Sequence, residues 1–260
     1  MPPAGSWPAS TGAAAQVFVG DLETPVLLDD DAHHLLRVRR LRPGEVVVAA
    51  DGTGRWRRCV VAGQAAGDAL RPDGEVVMCP APPYPVTVGF VPVKGDRPEW
   101  VVQKLTEAGV DRIVVLDAAR AVVRWSGERQ DRNLQRLRRV AHHAAAQSRR
   151  PRVPDVCGVW SLRQADSAVG AAATPGQTPL AQTPLAQMTL ADPGARLPAG
   201  LLRSMAVGPE GGWTDDELAG RPTASLGPAV LRAETAAVFA AVVLVAWRDG
   251  VAGPPPVPSA

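Results

Sequence analysis

Two glycine-rich segments near the C-terminus carry the residues best suited to chemistry. The first, residues 207–218, reads Val-Gly-Pro-Glu-Gly-Gly-Trp-Thr-Asp-Asp-Glu-Leu. Its glycines can adopt backbone angles closed to other residues and let a ligand approach the main chain. Thr214 and Glu217 have the spacing of a capping box, which predicts a helix start. The segment lacks the Gly-Lys-Ser/Thr ending of a triphosphate loop and the full Gly-x-Gly-x-x-Gly pattern. It predicts a site for a small polar or nucleotide-like ligand, and an ordinary strand–turn–helix connection is an equally compatible interpretation.

The second segment, residues 226–237, adds two opposite charges to a similar glycine turn. It reads Leu-Gly-Pro-Ala-Val-Leu-Arg-Ala-Glu-Thr-Ala-Ala. Arg232 and Glu234 stand directly before an apolar run, where charged groups are costly unless they have partners. Together with Glu210 of the first segment they are the candidate catalytic residues. An internal clamp between Arg232 and Glu234 is an equally good interpretation, and the sequence assigns no general base.

Both segments resemble the cofactor-binding loops of RNA methyltransferases with a knotted SPOUT domain. The closer match is the ribosomal small subunit methyltransferase E family, which methylates N3 of a uridine in small-subunit ribosomal RNA. In that family a Gly-Pro-Glu-Gly-Gly loop and a Leu-Gly-x-x-x-Leu-Arg-x-Glu-Thr-Ala loop hold S-adenosylmethionine, and both are intact here. The resemblance implies the following cofactor-binding residues: Gly208, Pro209, Glu210, Gly211, Gly212, Leu226, Gly227, Leu231 and Arg232.

The resemblance covers nearly the whole chain. Further matches, in the family's order and approximate spacing, are residues 34–44, 51–54, 94–97, 104–110 and 147–154. The chain departs from the family at Gln16, where an arginine is usual and an RNA contact is expected. It also departs at residues 161–200, which are unusually loose.

Arginines dominate the middle of the chain although the net charge is only +2. Residues 120–152 contain ten arginines against Glu128 and Asp131. This excess is too one-sided for salt bridges within one helix and favours a phosphate-binding surface over a merely solvated face. The charge pattern and the resemblance together predict these RNA-binding residues: His34, Arg37, Arg39, Lys94, Arg97, Arg138, Arg139 and Arg149.

Apolar periodicity predicts two domains. Residues 16–79 alternate short strands with turn signals, including a hairpin of residues 45–50 and 55–61. Residues 84–252 alternate strands (86–93, 112–116) with helices (99–109, 129–148), which predicts an α/β domain with a parallel sheet and helices on both faces. The resemblance implies a PUA-like RNA-binding β-barrel for the first domain and a trefoil knot for the second. A loose insertion rich in Pro, Ala and Gln is expected around residues 165–195, where an exact five-residue repeat indicates low complexity.

Other features narrow the class of protein. The cysteines Cys59, Cys79 and Cys157 lack metal-site spacing, which predicts reduced thiols. The histidine pairs at 33–34 and 142–143 have no third ligand at useful spacing, so no metal is expected. The N-terminus does not read as a signal peptide, and the apolar run 236–247 is too short to span a bilayer. A cytoplasmic protein without a membrane partner is expected.

The resemblance implies S-adenosylmethionine-dependent methylation of N3 of a specific uridine in the decoding region of 16S ribosomal RNA. The partner would be 16S rRNA or the small ribosomal subunit, and the resemblance implies a homodimer. A SPOUT enzyme that acts on another base or on tRNA is the second reading. A non-catalytic RNA-binding module is the third, and the two complete cofactor loops argue against it.

Overall fold

Short apolar strands separated by turn residues build the first of two compact units. The computed structural model describes residues 7–27, 32, 35, 40–62, 70–171, 187–196 and 200–253. The first unit comprises Met1–Ala81 and His142–Val153. Its sheet has the order β1-β2-β3-β4, in which β1 and β2 are parallel and the other pairs antiparallel. The strands are β1 (Ala15–Phe18), β2 (Val46–Ala50), β3 (Arg55–Val61) and β4 (Leu70–Met78).

The predicted hairpin is confirmed as the pairing of β2 with β3. Its turn closes because Asp51 Oδ1 accepts hydrogen bonds from the backbone N–H groups of Thr53 and Arg55, at 2.8 and 3.2 Å. Gly52 and Gly54 have φ values of 80° and 112°, which few residues other than glycine adopt.

Residues 142–153 belong to this first unit, whereas the sequence analysis assigned them to the domain 84–252. Long-range hydrogen bonds, which no local pattern encodes, hold them there. Gln16 Nε2 donates to the Arg150 carbonyl at 2.7 Å. Arg149 Nη2 donates to the Ala13 and Ala14 carbonyls, both at 2.9 Å. Gln16 is thus a buried structural residue.

Apolar strands, two of them buried along their whole length, form the sheet of the second unit, Pro82–Ala141 and Pro154–Ala260. Continuous burial is typical of parallel sheets covered on both faces. The order is β10-β8-β9-β5-β6-β7, and every pair is parallel. The strands are β5 (Thr87–Phe90), β6 (Arg112–Leu116), β7 (Asp155–Trp160), β8 (Thr189–Ala191), β9 (Ser204–Val207) and β10 (Thr223–Ala224).

Helices connect these strands. Two of them confirm predicted helices with slightly shifted ends. The helix Arg97–Ala108 begins two residues earlier than expected, because Pro98 is favourable in its first turn. It stops at Gly109, whose φ is 105°. The helices are α1 (Arg97–Ala108), α2 (Gly127–Gln147), α3 (Leu162–Ala171), α4 (Asp215–Leu218) and α5 (Ala233–Arg248).

The predicted loose insertion around 165–195 is wrong at both of its ends. Helix α3 and strand β8 lie within it, because Leu162, Ala165 and Leu190 bury their side chains in the core. Asp166 accepts a hydrogen bond from the Met188 backbone N–H at 2.9 Å and forms an ion pair with Arg221 at 2.7 Å. The five-residue repeat lies outside the described residues.

All three cysteines are free and buried. Burial raises the pKa of the Cys59 thiol to about 11. Burial, with the nearby Asp155 carboxylate, raises the pKa of the Cys157 thiol to about 12. Both thiols are therefore protonated and unreactive at neutral pH. No helix among the described residues is both long and apolar enough to cross a membrane.

Gly54 provides a test of how the first unit is held together. A Cβ at this position would lie 2.4 Å from the Arg152 guanidinium carbon. That guanidinium donates to the Thr53 carbonyl and, at 2.8 Å, to the Cys79 carbonyl, so it cannot move without losing these bonds. We expect Gly54→Ala to lower the free energy of unfolding by about 1 to 3 kcal/mol, measured by urea denaturation.

Gly44→Ala is the matched control because Gly44 also has positive φ, at 89°, but has open space around it. Equal losses in the two variants would contradict the role given to Arg152.

Candidate functional site

Three connections that follow neighbouring strands enclose a cavity of about 410 Å³. They follow β8, β9 and β10, which stand side by side in the sheet. Parallel strands end at a common edge, and clefts at that edge are where α/β proteins bind ligands. Both glycine-rich segments of the sequence contribute to the cavity. Of the predicted cofactor residues, the following line it: Gly208, Pro209, Glu210, Gly212, Leu226, Gly227, Leu231 and Arg232.

Trp213 explains why position 208 is a glycine. A Cβ on Gly208 would lie 2.9 Å from the indole of Trp213. The indole is 6% exposed, and its Nε1 donates to the Ala191 carbonyl at 3.1 Å. Trp213 therefore packs as a wall of the cavity and ties the β8 and β9 connections together.

Gly211 differs from its predicted role. It is not among the residues that line the cavity, and a Cβ there would lie 3.4 Å from Cβ of Arg120. Arg120 Nη1 donates to the carbonyls of Gly211 and Trp213, at 3.0 and 2.9 Å. In the sequence, Arg120 is recognisable only as part of a basic stretch, because nothing in the local pattern indicates a partner some ninety residues away.

The predicted capping box is confirmed at the start of α4 and has a second function. Thr214 Oγ1 accepts from the Glu217 backbone N–H at 3.3 Å, and the Thr214 N–H donates to Glu217 Oε2 at 2.9 Å. The other carboxylate oxygen, Oε1, accepts from the Ala119 backbone N–H at 2.9 Å. The glycine loop is therefore fixed to the connection that follows β6.

Two of the three candidate catalytic residues, Glu210 and Glu234, meet at Arg97. Its Nη1 lies 3.6 Å from Glu234 Oε1 and 4.0 Å from Glu210 Oε1, so one guanidinium links both glycine-rich segments. The Glu234 side chain is 13% exposed, and its Oε2 is buried without a hydrogen-bond partner among the described residues. The ion pair of Glu234 is with Arg97, whereas Arg232 is exposed at the cavity wall. A clamp between Arg232 and Glu234 is therefore not what the structure shows.

Two further cavities continue from this ion-pair cluster along the same edge of the sheet. One, of about 310 Å³, is lined by Lys94, Arg97, Glu210 and the apolar residues Pro92, Val93, Val122 and Val123. The other, of about 250 Å³, lies between the turn at 93–95, the segment at 123–125 and α2. Lys94, one of the predicted RNA-binding residues, lines both cavities.

The remaining predicted RNA-binding residues have different surroundings. Arg138 Nε donates to the Val156 carbonyl at 3.1 Å, and Arg149 holds the Ala13 and Ala14 carbonyls. Both arginines thus have structural contacts. Arg139 is exposed on α2. His34, Arg37 and Arg39 lie outside the described residues.

Comparison with known proteins identifies the family. Residues 80–245 match the model of the RNA methyltransferase domain, and residues 27–64 match that of the RNA methyltransferase PUA domain. The ribosomal RNA small subunit methyltransferase E of Mycobacterium bovis is 40% identical over 219 residues, which are 81% of this chain and 82% of the relative. The chain belongs to the ribosomal RNA small subunit methyltransferase E family. It is an RNA methyltransferase with an N-terminal PUA domain.

Solved structures share the fold of this RNA methyltransferase. A Neisseria gonorrhoeae ribosomal RNA small subunit methyltransferase E, bound to S-adenosylmethionine, has a TM-score of 0.66 and 24% identity and covers 91% of this chain and 97% of its own. A Legionella pneumophila structure, described as a candidate methyltransferase in complex with S-adenosylmethionine, has a TM-score of 0.71 and 23% identity. It covers 89% of this chain and 96% of its own. The expected α/β fold, with a parallel sheet flanked by helices, is thereby confirmed.

Proposed function

We propose that this protein methylates N3 of a specific uridine in the decoding region of 16S ribosomal RNA, with S-adenosylmethionine bound in the 410 Å³ cavity. One observation carries the proposal. Glu210 lines both that cavity and the neighbouring cavity of Lys94 and Arg97. A cofactor site and a substrate site that share a wall are what direct transfer between two bound molecules requires.

The residues present fit this cofactor. Small-molecule sites are typically concave, largely apolar and about 300 to 1,000 Å³ in volume, and this cavity is within that range. Gly212 and Gly227 line it with φ values of 68° and 134°, so the main chain is open to a ligand where side chains would intrude. The cofactor supplies an activated methyl group on a positively charged sulfur.

The protein's own task is to position the base and to remove a proton. Uracil N3 carries a hydrogen, so methylation at N3 needs an acceptor for that proton. We assign this role to Glu234, because its Oε2 is buried and has no hydrogen-bond partner among the described residues. Arg97 fixes the other carboxylate oxygen, and Glu210, with a side chain that is 55% exposed, is the alternative acceptor. Arg232, exposed at the cavity wall, is suited to stabilise negative charge on the substrate.

Topology and family membership support two finer structural proposals. The second unit forms a trefoil knot around the cofactor, because the connections that follow β9 and β10 close on the same cavity beside β8. The first unit closes into a PUA-like barrel, since its antiparallel strands carry a register shift between Arg57 and Cys59 of the kind that bends sheets. The protein acts in the cytoplasm, where its proposed substrate is found.

The function is tested by analysing the modified nucleosides in 16S rRNA from a strain that lacks the gene. We expect N3-methyluridine to be absent from that RNA and to return when the wild-type gene is supplied. Glu234→Gln should not restore it, and its single-turnover rate in vitro should fall by about 100-fold or more, because an amide cannot accept the proton. Calorimetry should show unchanged cofactor affinity in this variant.

Glu107→Gln is the control for this experiment. Glu107 is a partly exposed carboxylate on α1 that pairs with Lys104, whereas Glu234 pairs with Arg97 between the two glycine-rich segments. It should restore methylation fully. Loss of a different nucleoside, or of a tRNA modification, in the deletion strain would overturn the assignment in favour of another RNA target.

Substitution of an exposed arginine and substitution of an arginine that holds backbone carbonyls should have different effects. We propose that Arg139 contacts RNA phosphate, together with Lys94 and with the arginines of the segments outside the described residues. Arg139→Ala should weaken RNA binding and lower the slope of log affinity against log salt by up to about one unit. Arg149→Ala should instead lower the thermal unfolding temperature, because it removes two hydrogen bonds to backbone carbonyls. An unchanged salt slope for Arg139→Ala would show that this part of α2 does not contact the RNA.

We further propose a homodimer that uses α5. Phe239 and Val242 are 46% and 53% exposed, although they lie within an otherwise apolar helix. Three residues apart, they fall on one face of that helix, and a two-fold interface would cover them. Light scattering at micromolar concentration should give twice 27.2 kDa. Replacing both residues by glutamate should yield monomers, and an active wild-type monomer would contradict the proposal.

A further inference from the structure

The third cavity, which shares no residue with the cofactor cavity, is lined by charged and amide side chains together with one tryptophan. Its volume is about 250 Å³, and its lining includes Lys94, Glu99, Trp125, Arg129, Asn133 and Arg136. The groups come from the turn after β5, helix α1, the connection after β6 and helix α2. None of these residues except Lys94 is among the candidate site residues.

Glu99 is the unusual member of this group. Its Oε1 pairs with Arg136 Nε at 2.8 Å, and its side chain is 20% exposed. Its Oε2 is buried and has no hydrogen-bond partner among the described residues. An unsatisfied buried oxygen on a charged carboxylate is costly, so it marks a position prepared for a hydrogen-bond donor.

The order of the strands in the sheet places the three cavities one after another along the same edge. The cofactor cavity stands at the ends of β10, β8 and β9. The cavity of Arg97 and Glu210 takes its residues from the connections after β9, β5 and β6, and the third from those after β5 and β6 and from α2. Lys94, Val93 and Val123 line both of the last two. A strand of RNA whose target base is in the middle cavity would therefore reach the third with an adjacent nucleotide.

We propose that this third cavity is a second nucleotide-binding pocket, which holds an unpaired base next to the methylated one. The proposal rests on the proposed function, because it takes RNA as the substrate and the middle cavity as the target site. Glu99 Oε2 accepts a hydrogen bond from a base N–H, and Asn133 can donate or accept beside it. Lys94 and Arg129 neutralise the adjoining phosphate.

The lining favours a nucleotide over other anions. Recognition of single-stranded RNA combines aromatic stacking, hydrogen bonds to base edges and cations for the backbone. Trp125, Asn133 with Glu99, and Lys94 with Arg129 supply these three kinds of group within one cavity. A pocket for free phosphate would not include a carboxylate in its wall.

A carboxylate-to-amide exchange tests the pocket in RNA binding. Glu99→Gln keeps the shape of the side chain. It replaces the charged oxygen that accepts the base N–H by an amide N–H donor or a neutral amide oxygen. We expect affinity for unmodified 16S rRNA, measured by filter binding at fixed salt, to fall by about 10-fold. Glu128→Gln is the matched control because it makes the same charge change at a side chain that is 91% exposed on α2. Asn133→Ala should also weaken binding, and thermal unfolding verifies that each variant is folded. Equal affinities for Glu99→Gln and Glu128→Gln would overturn the proposal.

Altered RNA tests whether the pocket holds a neighbouring base. The 16S rRNA is assembled by ligation with an abasic residue on one side or the other of the target uridine. One of the two abasic RNAs should bind the wild type about 10-fold more weakly, and Glu99→Gln should lose no further affinity on that RNA because the contact is already absent. Additive losses, or unaltered wild-type binding to both abasic RNAs, would overturn the pocket. Failure of the wild type to methylate intact RNA would instead overturn the proposed function, and the binding comparison would still decide on the pocket.

Discussion

The site depends on one constraint, the parallel arrangement of all six strands in the second unit. Because parallel strands run in one direction, every connection that leaves a strand does so at the same edge of the sheet. The order of the strands then decides which connections are neighbours. Those after β8, β9 and β10 form the cavity proposed for the cofactor, and those after β5 and β6 form the two further cavities. Residues that are more than a hundred positions apart in the chain thus share one surface.

Hydrogen bonds between the connections keep this edge in place. Arg120 holds two carbonyls of the glycine loop, Glu217 holds the N–H of Ala119, and Trp213 holds the Ala191 carbonyl. Each of these contacts joins segments that follow different strands. Loops rich in glycine would otherwise lose much conformational entropy on binding a ligand. Because these hydrogen bonds already fix the loops in the folded protein, less conformational entropy is lost when the cofactor binds.

The sequence predicted what local rules determine. The hairpin at 45–61, the capping box at Thr214 and the helix stop at Gly109 each depend on residues a few positions apart, and each is confirmed. The cavity residues were predicted because the two glycine segments match a family pattern. The pairing of Arg97 with Glu234, the packing of Arg120 on Gly211 and the membership of 142–153 in the first unit were not predicted. Each arises from contacts between distant segments, for which hydrophobic periodicity contains no signal.

The distribution of charge along the edge is consistent with a division of tasks. Glu210, which lines the middle cavity, and Glu234, which lines none of the three cavities, lie within 4.0 Å of one guanidinium nitrogen, which offsets the repulsion that two nearby negative groups would have. Lys94 and Arg129 lie farther along, without a carboxylate partner among the salt bridges of the described residues. In the proposed function, these two cations attract the RNA backbone beyond the point where the two neighbouring cavities share Glu210. Arg97 compensates the negative charge of Glu210 and Glu234, which would otherwise repel an RNA bound at this edge.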